Sequence, residues 1–190
     1  MKRIHHIAGS ISLGRHDRQR MHDANVTTTA NLLAAARDSE VERIVYLASI
    51  FALSGSTTRP ATEDSPWLLE GFPVHYVQAK REAELIARRH AEEGLPLVFA
   101  YPTFCYGPGD VYESSSDLVL GFLRGKIPAY VNGGHNAMDV RDAAALAVHK
   151  NEVEGKAGVL CLAPEEGLGI DDPEFREQVG EFRLHLAVAG

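Results

Sequence analysis

Tyr76 and Lys80 lie four residues apart in the run Y-V-Q-A-K. On a helix this spacing puts both side chains on one face, about one turn apart. An ammonium beside a phenol favours the phenolate, drawing the hydroxyl down from a reference pKa of about 10 toward the range where it works as a general acid or base. Upstream, Ser49 closes an apolar run, where its hydroxyl can hold a substrate oxygen against that phenol. Ser49, Tyr76 and Lys80 are therefore the candidate catalytic group.

Other chemistry is less well supported by the residues. The nine histidines include His5, His6, His16 and His22. Adjacent strand residues face opposite sides, and no acidic or cysteine partner stands at metal spacing, so no metal is expected. Ser49 is flanked by Ala48 and Ile50 rather than by the glycines of a G-x-S-x-G nucleophile elbow, which argues against a hydrolase triad. Cys105 and Cys161 have no CxxC spacing and read as free thiols of a reducing compartment. Arg88, Arg89, His90, Glu92 and Glu93 read as the solvated face of the helix that carries Tyr76, and Trp67 either borders the pocket or anchors a loop.

The elements that would position these residues alternate short apolar runs with longer amphipathic ones, the α/β pattern of helices packed on a mainly parallel sheet. Strands are expected at residues 4–8, 43–48, 95–101 and 158–162. A helix ending near Ser39 and a second over residues 76–93, stopped by Gly94 and Pro96, make the crossovers. Residues 54–73, rich in Gly, Pro, Ser and Thr, read as a loop, and residues 106–110 as a turn. In open α/β sheets ligands bind beyond the carboxyl ends of the strands, so the segments following the strands at Ala8, Ser49 and Pro102 should converge on one site.

The chain has 190 residues, 45% hydrophobic and 24% charged, which fits one globular domain. Its net charge is −7, of which residues 164–190 contribute −5 (seven carboxylates against Arg176 and Arg183). An acidic balance argues against nucleic acid as a partner. No run has the length and apolarity of a signal peptide or membrane helix, so no membrane association and a cytoplasmic location are expected.

Taken in order, these motifs resemble the extended short-chain dehydrogenase/reductase family, whose members include NAD-dependent nucleotide-sugar epimerases and dehydratases. Ser49 with Y-V-Q-A-K is similar to its Ser/Thr and Tyr-x-x-x-Lys set. H-I-A-G at residues 6–9 resembles its cofactor segment after a strand, and NVTTTANLL at 25–33 its N-V-x-G-T-x-N-L-L helix, with Thr28 in place of the glycine. YPTFCYGPGD at 101–110 resembles the segment against the nicotinamide. Residues 122–131 and 139–144 resemble the branch of dihydroflavonol-reductase-like proteins and hopanoid-associated sugar epimerases.

The resemblance covers roughly residues 4–164. It implies a partial doubly wound, Rossmann-like domain, NAD or NADP as cofactor, and a small carbonyl, hydroxyl or nucleotide-sugar substrate. It implies cofactor contacts from Ala8, Gly9, Asn25, Tyr76, Lys80, Pro102 and Thr103. It also implies a homodimer whose helices at 26–36 and 76–91 pair across a two-fold axis through Ala34, Ala35, Ala36, Ala83 and Ala87. No G-x-G-x-x-G follows a strand, so the family's first βαβ unit is expected to be missing, with residues 165–190 an acidic tail that matches no part of the family. Two functions follow as expectations: an NAD(P)-dependent oxidoreductase, epimerase or dehydratase, or a non-catalytic remnant serving as an interaction module. Dinucleotide affinity separates them.

Overall fold

The computed structural model describes residues 2–11, 17–53, 65–112, 115–127, 137–152 and 159–161. The acidic tail, residues 128–136 and most of residues 54–73 lie outside the described residues. The chain begins with β1 (Arg3–His6), α1 (Arg18–His22), a π-helical turn (Asp23–Thr27) and α2 (Thr28–Arg37). Then come β2 (Arg43–Leu47), α3 (Ile50–Leu53), α4 (His75–Glu92), β3 (Leu97–Tyr101) and β4 (Phe104–Tyr106). α5 (Ser116–Leu123), β5 (Ala137–Asp139), α6 (Val140–Glu152) and β6 (Val159–Cys161) complete it.

β1, β2, β3 and β6 form one parallel sheet in that order. Ile44 pairs with Ile4 on one side and Leu97 on the other, and Phe99 pairs with Val159. β4 and β5 form a separate parallel pair. This is the partial doubly wound α/β architecture. Alternation along β2 and β3 divides the core. Ile44, Tyr46, Leu97 and Phe99 pack with Leu33 and Ala36 of α2 and Ala87 of α4, whereas Val45 and Val98 pack under Ala147 of α6. Strands buried on both faces need apolar residues at every position, and all five residues of β3 are buried.

The strand ends differ from the sequence expectation for identifiable reasons. β1 stops at His6, and beyond it the Asn25 amide takes both the N–H and the C=O of Ser10. β3 starts at Leu97 because Leu95 belongs to the end of α4: its N–H bonds back to His90 C=O at 3.0 Å and that of Gly94 to Ala91 C=O at 3.0 Å. This Schellman closure requires the left-handed conformation that Gly94 adopts (φ 99°), and Pro96 then has no N–H to offer a ladder. β4 takes Tyr106, which the sequence pattern assigned to a turn.

α1, the π turn and α2 run on from one another and pack on α4, joining Met21 and Val26 to Ala79 and Ala83. Ala36, Ala83 and Ala87 are therefore buried inside one chain rather than held open for a partner, whereas Ala34 and Ala35 are exposed. Small residues here serve close packing of α2 and α4 on each other and on the sheet.

Candidate active site

The carboxyl ends of β1, β2 and β3 open onto a cavity of about 190 Å³ whose walls include Gly9, Asn25, Ser49, Tyr76, Lys80 and Thr103. Three strand ends supply three walls, and α4 supplies the fourth. Pro102 also lines it, and so do Ile7, Ser10, Ile11, Leu47 and Ala48, which the sequence reasoning did not single out. Ala8, between two lining residues, does not line it and is exposed. A loop residue between two inward-facing neighbours points the other way, and only the loop's geometry reveals which.

Ser49 is buried and immediately precedes α3. Its Oγ accepts the Phe51 N–H at 3.3 Å and its C=O accepts the Ala52 N–H at 2.8 Å, the arrangement of a helix cap. Tyr76 lines the same cavity, and the nearby Ser49 hydroxyl acts to lower its pKa. Phe51 stands edge-on to the Tyr76 ring, centroids 6.1 Å apart, and edge-on to Phe104 at the same distance. Trp67 is an anchor: its indole N–H donates to Phe51 C=O at 3.0 Å, and the Arg81 guanidinium lies over its ring.

Lys80 follows Tyr76 by one turn of α4 and reaches the β1 loop. A Cβ placed on Gly9 would come 3.5 Å from its Nζ and 2.9 Å from Asn25 Oδ1, so the absence of a side chain at Gly9 lets these groups crowd together. Burial lowers the Lys80 amine to about pKa 8. Burial also raises Tyr76, against the Ser49 hydrogen bond that lowers it, with a further rise from the nearby Cys105. The phenol is thus not drawn down as the Y-V-Q-A-K spacing predicts, because desolvation of the phenolate outweighs the stabilisation available to it. The Cys105 thiol is itself half-buried and raised by that burial.

Asn25 is almost fully buried in the π turn. Its Nδ2 donates to Ser10 C=O at 2.7 Å and Met21 C=O at 2.8 Å, and its Oδ1 accepts the Ser10 N–H at 3.3 Å. His6, behind the cavity, bonds through Nε2 to Thr29 Oγ1 at 2.8 Å. The Thr29 hydroxyl gives its one proton to Asn25 C=O at 2.6 Å, so the imidazole is the donor. Burial, then the Lys80 charge, lowers the His6 pKa, which keeps it neutral. Thr103 Oγ1 is buried without a hydrogen-bond partner.

Four known proteins are similar to this chain. The chain is 37% identical over 145 residues to a protein of Synechocystis sp. carrying the provisional name dihydroflavonol 4-reductase, covering 75% of this chain and 42% of that one. It is 29% identical over 149 residues to sterol demethylase protein B of Methylococcus capsulatus, covering 77% and 45%. Among solved structures, gox2253 superposes with a TM-score of 0.75 at 32% identity, covering 87% of this chain and 51% of that one. The UDP-glucuronic acid 4-epimerase of Bacillus cereus, solved with UDP-glucuronic acid and NAD, shares the fold at TM-score 0.70 and 17% identity. The chain spans about half the length of the relatives it matches. Residues 2–157 match the profile of the NAD dependent epimerase/dehydratase family, and this chain belongs to that family.

Proposed function

We propose that these residues form the proton-transfer half of an NAD(P)-dependent oxidoreductase, or of a sugar-nucleotide epimerase or dehydratase, acting on a small carbonyl, hydroxyl or nucleotide-sugar substrate. The observation that carries this reading is the convergence of Ser49, Tyr76 and Lys80 on one cavity at the carboxyl ends of the strands. Ser49 holds the substrate oxygen, Tyr76 passes the proton to or from it, and Lys80 stabilises the phenolate when it forms. Lys80 titrates near pH 8, so its charge is available at neutral pH and is lost above that range.

The residues present fit the nicotinamide end of a dinucleotide: Gly9 brings bare backbone to the cavity wall, and Thr103 holds a buried hydroxyl there with no partner of its own. Gly9, Tyr76, Lys80, Pro102 and Thr103 would hold that end. Asn25 has its amide committed to Ser10 and Met21, and so acts by shaping the loop that carries Gly9. The dinucleotide would supply hydride exchange at the substrate carbon. A cytoplasmic homodimer joined through the outer faces of α2 and α4 is part of the same reading; Leu85 of α4, 43% exposed, is an apolar contact available to it.

The test is reduction of carbonyl substrates, or epimerisation of nucleotide sugars, by the full-length protein with Tyr76→Phe. Loss of the proton donor should lower turnover by a factor of 10² to 10⁴ while leaving dinucleotide affinity unchanged. Turnover that survives this substitution would remove Tyr76 from the mechanism, and absence of turnover with any partner or substrate would favour the non-catalytic interaction module.

A further inference from the structure

Glu84 is a carboxylate with no exposed surface, and nothing in the proton-transfer group uses it. It occupies the next step of a four-residue series along α4: Tyr76, Lys80, Glu84, Arg88. Burying a carboxylate is costly unless every oxygen is paired, and here each is. Oε2 accepts from Arg81 Nη1 at 2.9 Å; Oε1 accepts from the Tyr101 hydroxyl at 2.9 Å and from Arg88 Nε. Arg88 Nη2 also donates to the Tyr101 hydroxyl at 3.1 Å. Arg88 is thus not part of a solvated face, as its charged neighbourhood in the sequence suggests, because the buried carboxylate draws it inward.

These partners lead to the separate segments that carry the site. Arg81 Nη1 donates a further bond to Ala52 C=O at 3.1 Å, in the short helix that Ser49 caps. Tyr101 is the last residue of β3, immediately before Pro102 and Thr103. Glu84 itself lies one turn beyond Lys80. A single buried carboxylate therefore ties together the Ser49 segment, the Tyr76–Lys80 helix and the Thr103 segment. We infer that Glu84 is a positioning residue, fixing the height and rotation of α4 so that the Tyr76 hydroxyl meets Ser49 and the Lys80 amine stays out of bulk water. An apolar side chain of similar size fills the same space but has no direction to impose; three charge-assisted or phenolic bonds at set angles do. This rests on reading Ser49, Tyr76 and Lys80 as the working group of the site.

The measurement is the titration of Lys80, followed through lysine ¹³Cε shifts in the intact chain, with the resonance assigned by its loss in Lys80→Arg. In Glu84→Gln the far-UV circular dichroism should be retained and the Lys80 midpoint should rise by at least one pH unit, a tenfold gain in proton affinity, as water reaches the amine. Loss of the Glu84 negative charge by itself acts in the opposite direction, so the sign of the change separates positioning from simple electrostatics. Val98→Ala, which weakens the core on the other face of the sheet, should lower the thermal midpoint without moving Lys80. A folded Glu84→Gln protein whose Lys80 midpoint is unchanged or lower would overturn the inference. If Glu84→Gln does not fold, Arg81→Lys keeps the positive charge but cannot hold Glu84, Ala52 and the Trp67 ring together, and the same upward movement is required of it. None of these readings needs turnover, so a failure of the catalytic reading, seen in Tyr76→Phe, is recorded separately.

Discussion

Replacing Lys80 by Met should stabilise the fold at neutral pH, and the gain should fade as the pH rises. The amine has a pKa of about 8 in the folded chain against an ordinary value of 10.5, because burial penalises its charged form. At 1.36 kcal/mol per pH unit the difference amounts to roughly 3 kcal/mol of disadvantage carried by the folded protein while the amine is protonated in both states. That disadvantage is fully present below about pH 8. Between pH 8 and 10.5 the unfolded chain binds the proton more readily than the folded one, so stability rises with pH there, and the cost is gone once both states are neutral. Between pH 7 and pH 10 the wild type should therefore gain about 2 kcal/mol on Lys80→Met. Methionine has similar length and adapts to irregular space, which keeps packing changes small. Urea denaturation of both proteins at pH 7, 8.5 and 10 gives the difference directly, with titration of all other groups cancelling between them. A gap that stays constant across that range would mean the folded amine keeps its ordinary proton affinity, and the account of a desolvated lysine beside Gly9 would be wrong.

Leu33→Ala should cost about 2–5 kcal/mol in the same denaturation assay, because Leu33 has no exposed surface and sits between α2 and the sheet; a loss under 1 kcal/mol would show that the helix re-packs over the gap. The 190-residue chain on its own should bind NAD or NADP more weakly than micromolar by calorimetry, since its sequence carries no G-x-G-x-x-G after a strand to cradle a pyrophosphate. A micromolar dissociation constant would show that other groups of this chain replace that cradle.

Much of the fold was legible because strand and helix periodicities differ. RIVYL and LVFAY are short, apolar and rich in β-branched or aromatic residues, and they became β2 and β3. α4 was legible from helix-forming composition and the Gly94 and Pro96 stop signals. β4 and β5 were not, since three residues carry no period, and their pairing joins Phe104 to Ala137 across a long stretch of chain. At the site, the grouping of Ser49, Tyr76 and Lys80 could be inferred from strand-end topology and i, i+4 spacing. The direction of the Tyr76 shift could not, because spacing reveals a charged neighbour but not how much water the neighbour has lost. For the same reason Glu84 went unnoticed: in sequence it is one more acid on a charged helix, and only tertiary packing removes it from solvent.

The π-helical turn at Asp23–Thr27 has a consequence for how that helical run meets the rest of the molecule. Its wider loop is closed by the Thr28 N–H on Asp23 C=O, and the Thr28 hydroxyl, where the family pattern has glycine, bonds the same carbonyl at 3.1 Å. Such a turn accommodates about one residue more than an α turn, and each residue of an α-helix advances the face by about 100°. The turn therefore works as a phase corrector. Upstream, Met21 is timed to meet Ala79 and Ala83 on α4; downstream, Thr29 is timed to meet His6, and Leu33 and Ala36 to meet the sheet. A regular α-helix of the same length could satisfy one of those appointments or the other, so the irregular turn is what allows one run of helix to serve two differently oriented neighbours.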